Sequence, residues 1–247
     1  MLETSILDQV RSVFQNLEAR YIFHITYNPE HEQAQEFIGF LNNVASCSEK
    51  LSCLLTETDN PGLEFTLLKE GVETDIKFRG IPSGHEFTSL LLAVLNADGK
   101  GKNLPDEAIS RRIKALQGPV RLQTYVSLTC TNCPDVVQAL NIITLLNPQI
   151  THEMVDGALY QEEVDALKIQ GVPSVYANGK LLHVGRGSLG ELLQKLEQTF
   201  GSAPQTDETP IQREFDVLVL GGGPAGASAA IYSARKGLRV AIVAERI

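Results

Sequence analysis

Two cysteines in the stretch LTCTNCPDVVQAL, Cys130 and Cys133, are the residues of this 247-residue chain whose type and spacing most directly imply chemistry. With Thr131 and Asn132 between them, both sulfurs fall at the start of the helix that follows. Unpaired backbone N–H groups and the positive end of the helix dipole stabilise a thiolate there. The first, more exposed cysteine is the expected nucleophile, because its thiolate fraction at neutral pH rises as its pKa falls. The second, one turn away, resolves a mixed disulfide by intramolecular attack. Pro134 suits the first helical turn, where a missing N–H costs little. A second element bears on the pair: GVPSVY places Pro173 just before a strand, 43 residues after Cys130. A cis X-Pro bond there would turn the backbone toward the sulfurs and offer it to an incoming chain.

Two other uses of the pair have to be weighed. A structural zinc site needs four ligands, usually in two close pairs. The remaining cysteines, Cys47 and Cys53, have five residues between them and lie far upstream, and His152 and His183 have no partner spacing. Two inert core thiols are the other alternative. Taken singly, Cys47 and Cys53 read as small buried hydrophobes.

A different motif lies near the end of the sequence. GGGPAG holds Gly221, Gly223 and Gly226 in G-x-G-x-x-G spacing, between the strand FDVLVL, read as buried, and the helix ASAAIYSARKG. The strand RVAIVAE follows, and Glu245 stands 24 residues after Gly221, where an acidic side chain takes ribose hydroxyls. This reads as the first βαβ unit of an adenine-dinucleotide site, against the alternative of a glycine-rich turn in some other βαβ unit. With one helix and two strands, it holds the pyrophosphate and ribose cradle but no walls for the rest of the cofactor. The fragment is therefore not expected to bind the dinucleotide by itself.

Composition narrows the setting. A hydrophobic fraction of 43% is globular, and a formal charge of −9 argues against a nucleic-acid surface. MLETSILDQVRSVF lacks a basic region followed by an apolar stretch, and SLLLAVL is too short to span a bilayer. Four cysteines in so long a chain do not make a disulfide scaffold. The expectation is a soluble cytoplasmic protein without nucleic-acid or membrane partners.

The elements that position these motifs repeat. Residues 2–18 read as an amphipathic helix with Leu2, Ile6, Leu7, Val10, Val13, Phe14 and Leu17 on one face. RYIFHITY is a strand, EHEQAQEFIGFLNNVAS a helix, KLSCLLTE a strand, GLEFTLL and TDIKFRG a hairpin, and EFTSLLLAVLN a helix. The same order recurs as DEAISRRIKALQ, VRLQTYVSL, PDVVQALNIITLLN and QITHEMVD. The helix YQEEVDALKIQ, a hairpin turning at Asn178-Gly179 and the helix SLGELLQKLEQTF complete it. The predicted fold class is α/β: two tandem thioredoxin-like folds, then a truncated Rossmann-type βαβ unit. The expected boundaries are 1–102 and 103–200 for the repeats, 201–213 for a polar linker and 214–247 for the dinucleotide unit.

The first repeat has no cysteine pair where its own should be, in HITYNPEHEQAQEF, although Pro61 precedes a strand as Pro173 does. It therefore reads as a redox-inactive sister. Its most unusual loop is GIPSGHEFTSL, where Glu86 is either an ordinary helix-start carboxylate or a group with a role in exchange.

Tandem thioredoxin-like folds with a CxxC only in the second, GHEFTSL in the first, NCPDVVQALN, and a dinucleotide fingerprint after a linker resemble the flavoprotein (F) subunit of alkyl hydroperoxide reductase. The resemblance extends over essentially the whole chain. It implies Cys130 as attacking thiol, Cys133 as resolving thiol, Pro173 as the cis-proline and Glu86 as the acidic residue near the pair. It also implies FAD bound at Gly221, Gly223, Gly226 and Glu245 in a longer enzyme, which would be a homodimer. NADH and a downstream dithiol would supply electrons, and a peroxiredoxin would receive them. Thr131 departs from the family, which carries histidine after the first cysteine, so thiol pKa and redox potential do not transfer. The alternatives are a general thioredoxin- or glutaredoxin-like disulfide reductase with another protein client, and a non-catalytic docking module.

Overall fold

The computed structural model describes residues 3–203 and 213–244, which fall in two compact units divided between Pro204 and Gln205. In the larger unit the anticipated order appears twice. The first set is α1 (Thr4–Phe14), β1 (Tyr21–Tyr27), α2 (Ala34–Ala45), β2 (Leu51–Glu57), β3 (Leu63–Lys69), β4 (Val72–Arg79) and α3 (Phe87–Ala97). The second is α4 (Glu107–Ala115), β5 (Val120–Val126), α5 (Cys133–Leu146), β6 (Ile150–Asp156), α6 (Gln161–Ala166), β7 (Ser174–Ala177), β8 (Lys180–Val184) and α7 (Leu189–Phe200).

Each set makes four strands with one parallel and two antiparallel pairings, β2-β1-β3-β4 and β6-β5-β7-β8. The two sets do not form separate sheets. β4 pairs in parallel with β6, from Ile76 opposite His152 to Arg79 opposite Val155, giving one eight-stranded sheet. Because β4, β5 and β6 run the same way, their carboxyl ends at Arg79, Val126 and Asp156 share one edge, where open α/β sheets place their sites.

Helix α5 sits between two cores. Cys133 and Val137 pack into a cluster built mainly from the first repeat, with Phe23, Phe65, Phe78 and Val94. Val136, Leu140 and Ile143 pack into a second cluster with Leu122, Val175 and Leu196. An apolar stripe on both sides makes this helix buried nearly all round. A polar latch also crosses the seam. Arg79 donates to both Glu163 oxygens, lies 4.0 Å over the Tyr160 ring, and Tyr125 donates to the same carboxylate at 2.8 Å. The Tyr160 hydroxyl both donates to the Leu63 carbonyl and accepts from the Leu63 N–H.

Several elements are shorter than their sequence patterns. The first helix ends at Phe14 rather than running to residue 18, and Val13 is 41% exposed, because α1 covers the core with a narrower stripe. Leu2 lies outside the described residues. α6 stops at Ala166, with Lys168 in the left-handed region at φ 55°. In the smaller unit, β9 (Val217–Leu220) and β10 (Val240–Val243) pair in parallel on either side of α8 (Pro224–Arg235). The strand FDVLVL, read as buried, leaves Leu218 and Leu220 exposed, since a single helix covers only one face of two strands.

His152, on β6 at the seam, is fully buried. Its Nδ1–H donates to Asn141 Oδ1 at 2.7 Å, and its Nε2 accepts from the Thr124 hydroxyl at 2.8 Å. Burial pushes its pKa down to about 3, below the ordinary 6.5. Between these values the unfolded chain holds a proton that the folded chain refuses, so stability falls as pH drops below about 6.5. The expected slope from this group approaches about 1.4 kcal/mol per pH unit. Urea midpoints from about pH 7 to pH 4.5 should fall more steeply for the native chain than for His152→Gln; equal slopes would remove His152 as the cause.

Candidate active site

Cys130 and Cys133 form a disulfide with their Cα atoms 5.5 Å apart. Helix α5 begins at Cys133 with Asn132 as its N-terminal flanking residue and Pro134 in the first turn. Cys130 stands one turn earlier, its N–H donating to the Ser127 carbonyl at 2.9 Å. Cys133 is fully buried, whereas Cys130 is half-buried between exposed Thr129 and exposed Thr131. A reagent in solution therefore meets the Cys130 sulfur first.

The second element of the site is the Val172–Pro173 bond, which is cis. It brings the Val172 carbonyl oxygen 3.8 Å from the Cys130 sulfur. Val172 is itself 36% exposed, so the backbone beside the sulfur is open to an extended partner. Asn60–Pro61, the counterpart in the first repeat, is not among the cis bonds. There the strand start is taken up by Tyr160 through both polar groups of Leu63.

The third element comes from the first repeat. A short 3-10 turn, Gly84–Glu86, precedes α3 and lies on the loop that carries Cys130. The His85 N–H donates to the Leu128 carbonyl at 3.0 Å. Gly84 has φ 56°, and a Cβ on it would come within 2.5 Å of that same carbonyl oxygen, so only glycine permits this approach. Glu86, the next residue but one, is fully buried, and neither of its carboxylate oxygens has a donor in hydrogen-bond geometry. Burial raises its pKa to about 7; the nearby Ser89 hydroxyl pulls weakly the other way. Phe87, beside it in sequence, packs in the same cluster as Cys130 and Cys133. At neutral pH such a carboxyl exists in both forms and can give or take a proton.

The surroundings supply few other charges. Asp135, in the first turn of α5, is exposed and lies 3.9 Å from the Arg186 guanidinium, which is itself exposed. Cys47 is buried and Cys53 half-buried; burial raises both thiols, the second to about 11, so neither is a ready nucleophile. No cluster of three or more His, Cys, Asp or Glu fit to hold a metal occurs among the described residues.

In the smaller unit the three fingerprint glycines show three different geometries. Gly221 has φ 108°, a turn that other residues avoid. A Cβ on Gly226 would lie 2.0 Å from the Gly221 carbonyl oxygen, so helix and turn touch there. A Cβ on Gly223, which flanks the start of α8, would meet nothing within 4 Å. Packing does not demand a glycine at that position, but close approach of a pyrophosphate to the backbone does. These residues fit a dinucleotide. Glu245 lies outside the described residues.

Tandem thioredoxin folds joined in one sheet, with a single CxxC disulfide facing a cis-proline, define the class: the architecture of thiol–disulfide oxidoreductases. A family profile described as "Thioredoxin domain" matches residues 120–198, and one described as "FAD binding domain" matches residues 216–246. The chain is 39% identical over 246 residues to the F subunit of alkyl hydroperoxide reductase from Pseudomonas aeruginosa, covering all of this chain and 47% of that protein. It is 42% identical over 246 residues to a protein of Bacillus subtilis named NADH dehydrogenase, with the same coverage. The chain thus spans about half the length of the curated relatives it matches. Among solved structures, the NTD_N/C domain of the alkylhydroperoxide reductase AhpF from Enterococcus faecalis is 30% identical with a TM-score of 0.72. The match covers 79% of this chain and 100% of that one. A protein disulfide oxidoreductase from Aeropyrum pernix shares the fold at 18% identity and a TM-score of 0.70, over 83% of this chain and 97% of that one. The chain belongs to the family of alkyl hydroperoxide reductase F subunits, and corresponds to their amino-terminal part.

The buried carboxyl makes a testable claim about stability. Below about pH 4.5 Glu86 is protonated whether folded or unfolded, and burial then carries no charge penalty. As pH rises from 4.5 to 7 the unfolded chain ionises first, so stability is lost, and above 7 the loss is complete. The span corresponds to about 3 kcal/mol. Relative to the native chain, Glu86→Gln should gain stability with rising pH across this window and level off above it. A constant difference in urea midpoints would show that Glu86 does not ionise in a buried site.

Proposed function

We propose that this chain is the disulfide-reductase module of a flavin-dependent peroxiredoxin reductase. The observation that carries the reading is the half-buried Cys130 sulfur, bonded to a buried Cys133 and 3.8 Å from the carbonyl beside the cis-proline. Its family membership supports it. In the dithiol form, the Cys130 thiolate attacks one sulfur of the partner's disulfide. A mixed disulfide forms and the partner's other sulfur leaves as a thiolate. The Cys133 thiolate then attacks the Cys130 sulfur, reforming the observed disulfide and releasing the partner's second thiol. The partner gains two electrons and two protons. Glu86, titrating near 7, is the group we assign to proton exchange at Cys133.

Pro173 positions the partner's backbone. Residues 1–102 serve as a redox-inactive scaffold, and 103–200 carry the chemistry. A linker over 201–213 leads to residues 214–247, which begin the FAD domain of the fuller enzyme. FAD there would accept a hydride from NADH and pass electrons on through a downstream dithiol. Of this chain's residues, Gly221, Gly223 and Gly226 would cradle the pyrophosphate, and Glu245 would hold the ribose. The partner is a peroxiredoxin that reduces hydroperoxides, and the setting is the cytoplasm. No helix among the described residues is long and apolar enough to cross a membrane.

Reduced Cys133→Ser, mixed with an oxidised peroxiredoxin, should accumulate a mixed disulfide through Cys130, whereas Cys130→Ser should trap far less. Equal trapping by both, or stronger trapping by Cys130→Ser, would reverse the roles. Absence of exchange with peroxiredoxins, beside rapid exchange with other protein disulfides, would move the client elsewhere. Residues 213–244 supply too few walls for the flavin ring, so added FAD should show no saturable binding to this chain near micromolar concentration, about −8 kcal/mol. Stoichiometric yellow protein would contradict this.

A further inference from the structure

His183 stands outside the chemistry described so far, yet its ring closes the turn behind the cis-proline. It lies on β8, paired in register with Val175 of β7, two residues after Pro173. Its Nδ1 is 2.9 Å from the Lys195 ammonium of α7. An ammonium only donates, so Nδ1 must be the bare, accepting nitrogen and the proton sits on Nε2. That Nε2–H is shared between the carbonyls of Gly185, at 2.9 Å, and Arg186, at 3.1 Å. The turn is fitted around the ring: a Cβ on Gly187 would come within 2.7 Å of Nε2. From the same turn, the Gly185 N–H donates to the Pro173 carbonyl at 2.8 Å. A continuous chain of hydrogen bonds therefore runs from α7 through the His183 ring and the 185–187 turn to the segment that faces the Cys130 sulfur.

We propose that His183 is a positioning residue for exchange with protein disulfides, bracing the 185–187 turn and through it the Val172–Pro173 edge on which a partner's backbone lies. The proposal rests on the reductase reading above. The ring holds Lys195 on one nitrogen and both turn carbonyls on the other, so a side chain without that pair of groups leaves the turn unbraced. Loss of the ring should thus loosen the edge that a polypeptide needs and a small disulfide does not.

The test compares two oxidants on the reduced chain: a short peptide disulfide and hydroxyethyl disulfide. Taking the ratio of their rate constants cancels the ionisation of Cys130 and of Glu86, which both reactions share. At a single pH of about 7.5 the peptide-to-small ratio should be on the order of fivefold lower in His183→Leu than in the native chain, the equivalent of one net hydrogen bond. Lys195→Met, which leaves the ring's bond to the turn, should lower it less. Protection of the Gly185 amide against exchange, followed by NMR in the oxidised chain at that same pH, should drop in His183→Leu relative to the native protein. An equal ratio in His183→Leu and the native chain, or a Gly185 amide indifferent to His183, would overturn the proposal while leaving the reductase reading intact. Failure of the reduced chain to react with either disulfide would instead refute that reading, and this role with it.

Discussion

The parallel pairing of β4 with β6 is the constraint on which the rest of the molecule depends. Four backbone pairs, from Ile76–His152 to Arg79–Val155, turn two half-sheets into one. Through them the loop leaving β4 is carried over the carboxyl ends of its neighbours and comes down on Leu128, two residues before Cys130. With that pairing, Phe87, next to Glu86, shares a core with Cys130 and Cys133, so the repeat without a CxxC pair packs against the loop of the one that has it. Helix α5 reinforces the arrangement by burying Cys133 and Val137 in one cluster and Leu140 and Ile143 in the other.

Two buried polar groups show what this arrangement costs and what it achieves. His152 is satisfied on both ring nitrogens and sits uncharged at the seam, where it ties β6 to β5 through Thr124 and to α5 through Asn141. Glu86 is not satisfied on either oxygen. A carboxyl held without donors loses stability whenever it ionises. The same desolvation moves the group's titration into the range where thiols exchange protons. The two groups oppose each other as pH changes, His152 weakening the fold as pH falls below about 6.5 and Glu86 weakening it as pH rises from about 4.5 to 7, so each effect is visible only as a difference from its own variant.

Local signals were legible in the amino-acid sequence because local geometry sets them. CxxC spacing places one cysteine on each side of a helix start, Pro173 directly precedes β7, and Asn178-Gly179 turns its hairpin with both residues at positive φ. The twofold order of elements was equally readable. The joining of the repeats was not, since nothing in the residues of β4 or β6 names a neighbour 76 positions away. His183 passed as a histidine without partners because its partners are a lysine twelve residues on and two carbonyls. The burial of Glu86 was hidden for the same reason: a carboxylate at a helix start is ordinarily solvated, and only the loop's descent onto Leu128 shows otherwise. The early end of α6, set by a left-handed lysine, left no sign in its periodic pattern.

The central claim is that both repeats form one redox site, with Glu86 coupled to the cysteine pair. Its most direct test is a carbon-13 NMR titration of the Glu86 carboxyl in the disulfide and dithiol forms of the chain. Coupled groups titrate together, so proton release from the thiols should register at the carboxyl. The account predicts a midpoint near 7 with the disulfide intact and a clear upward displacement on reduction, as a thiolate forms beside it. A midpoint in the ordinary carboxylate range, or the same midpoint in both forms, would contradict it.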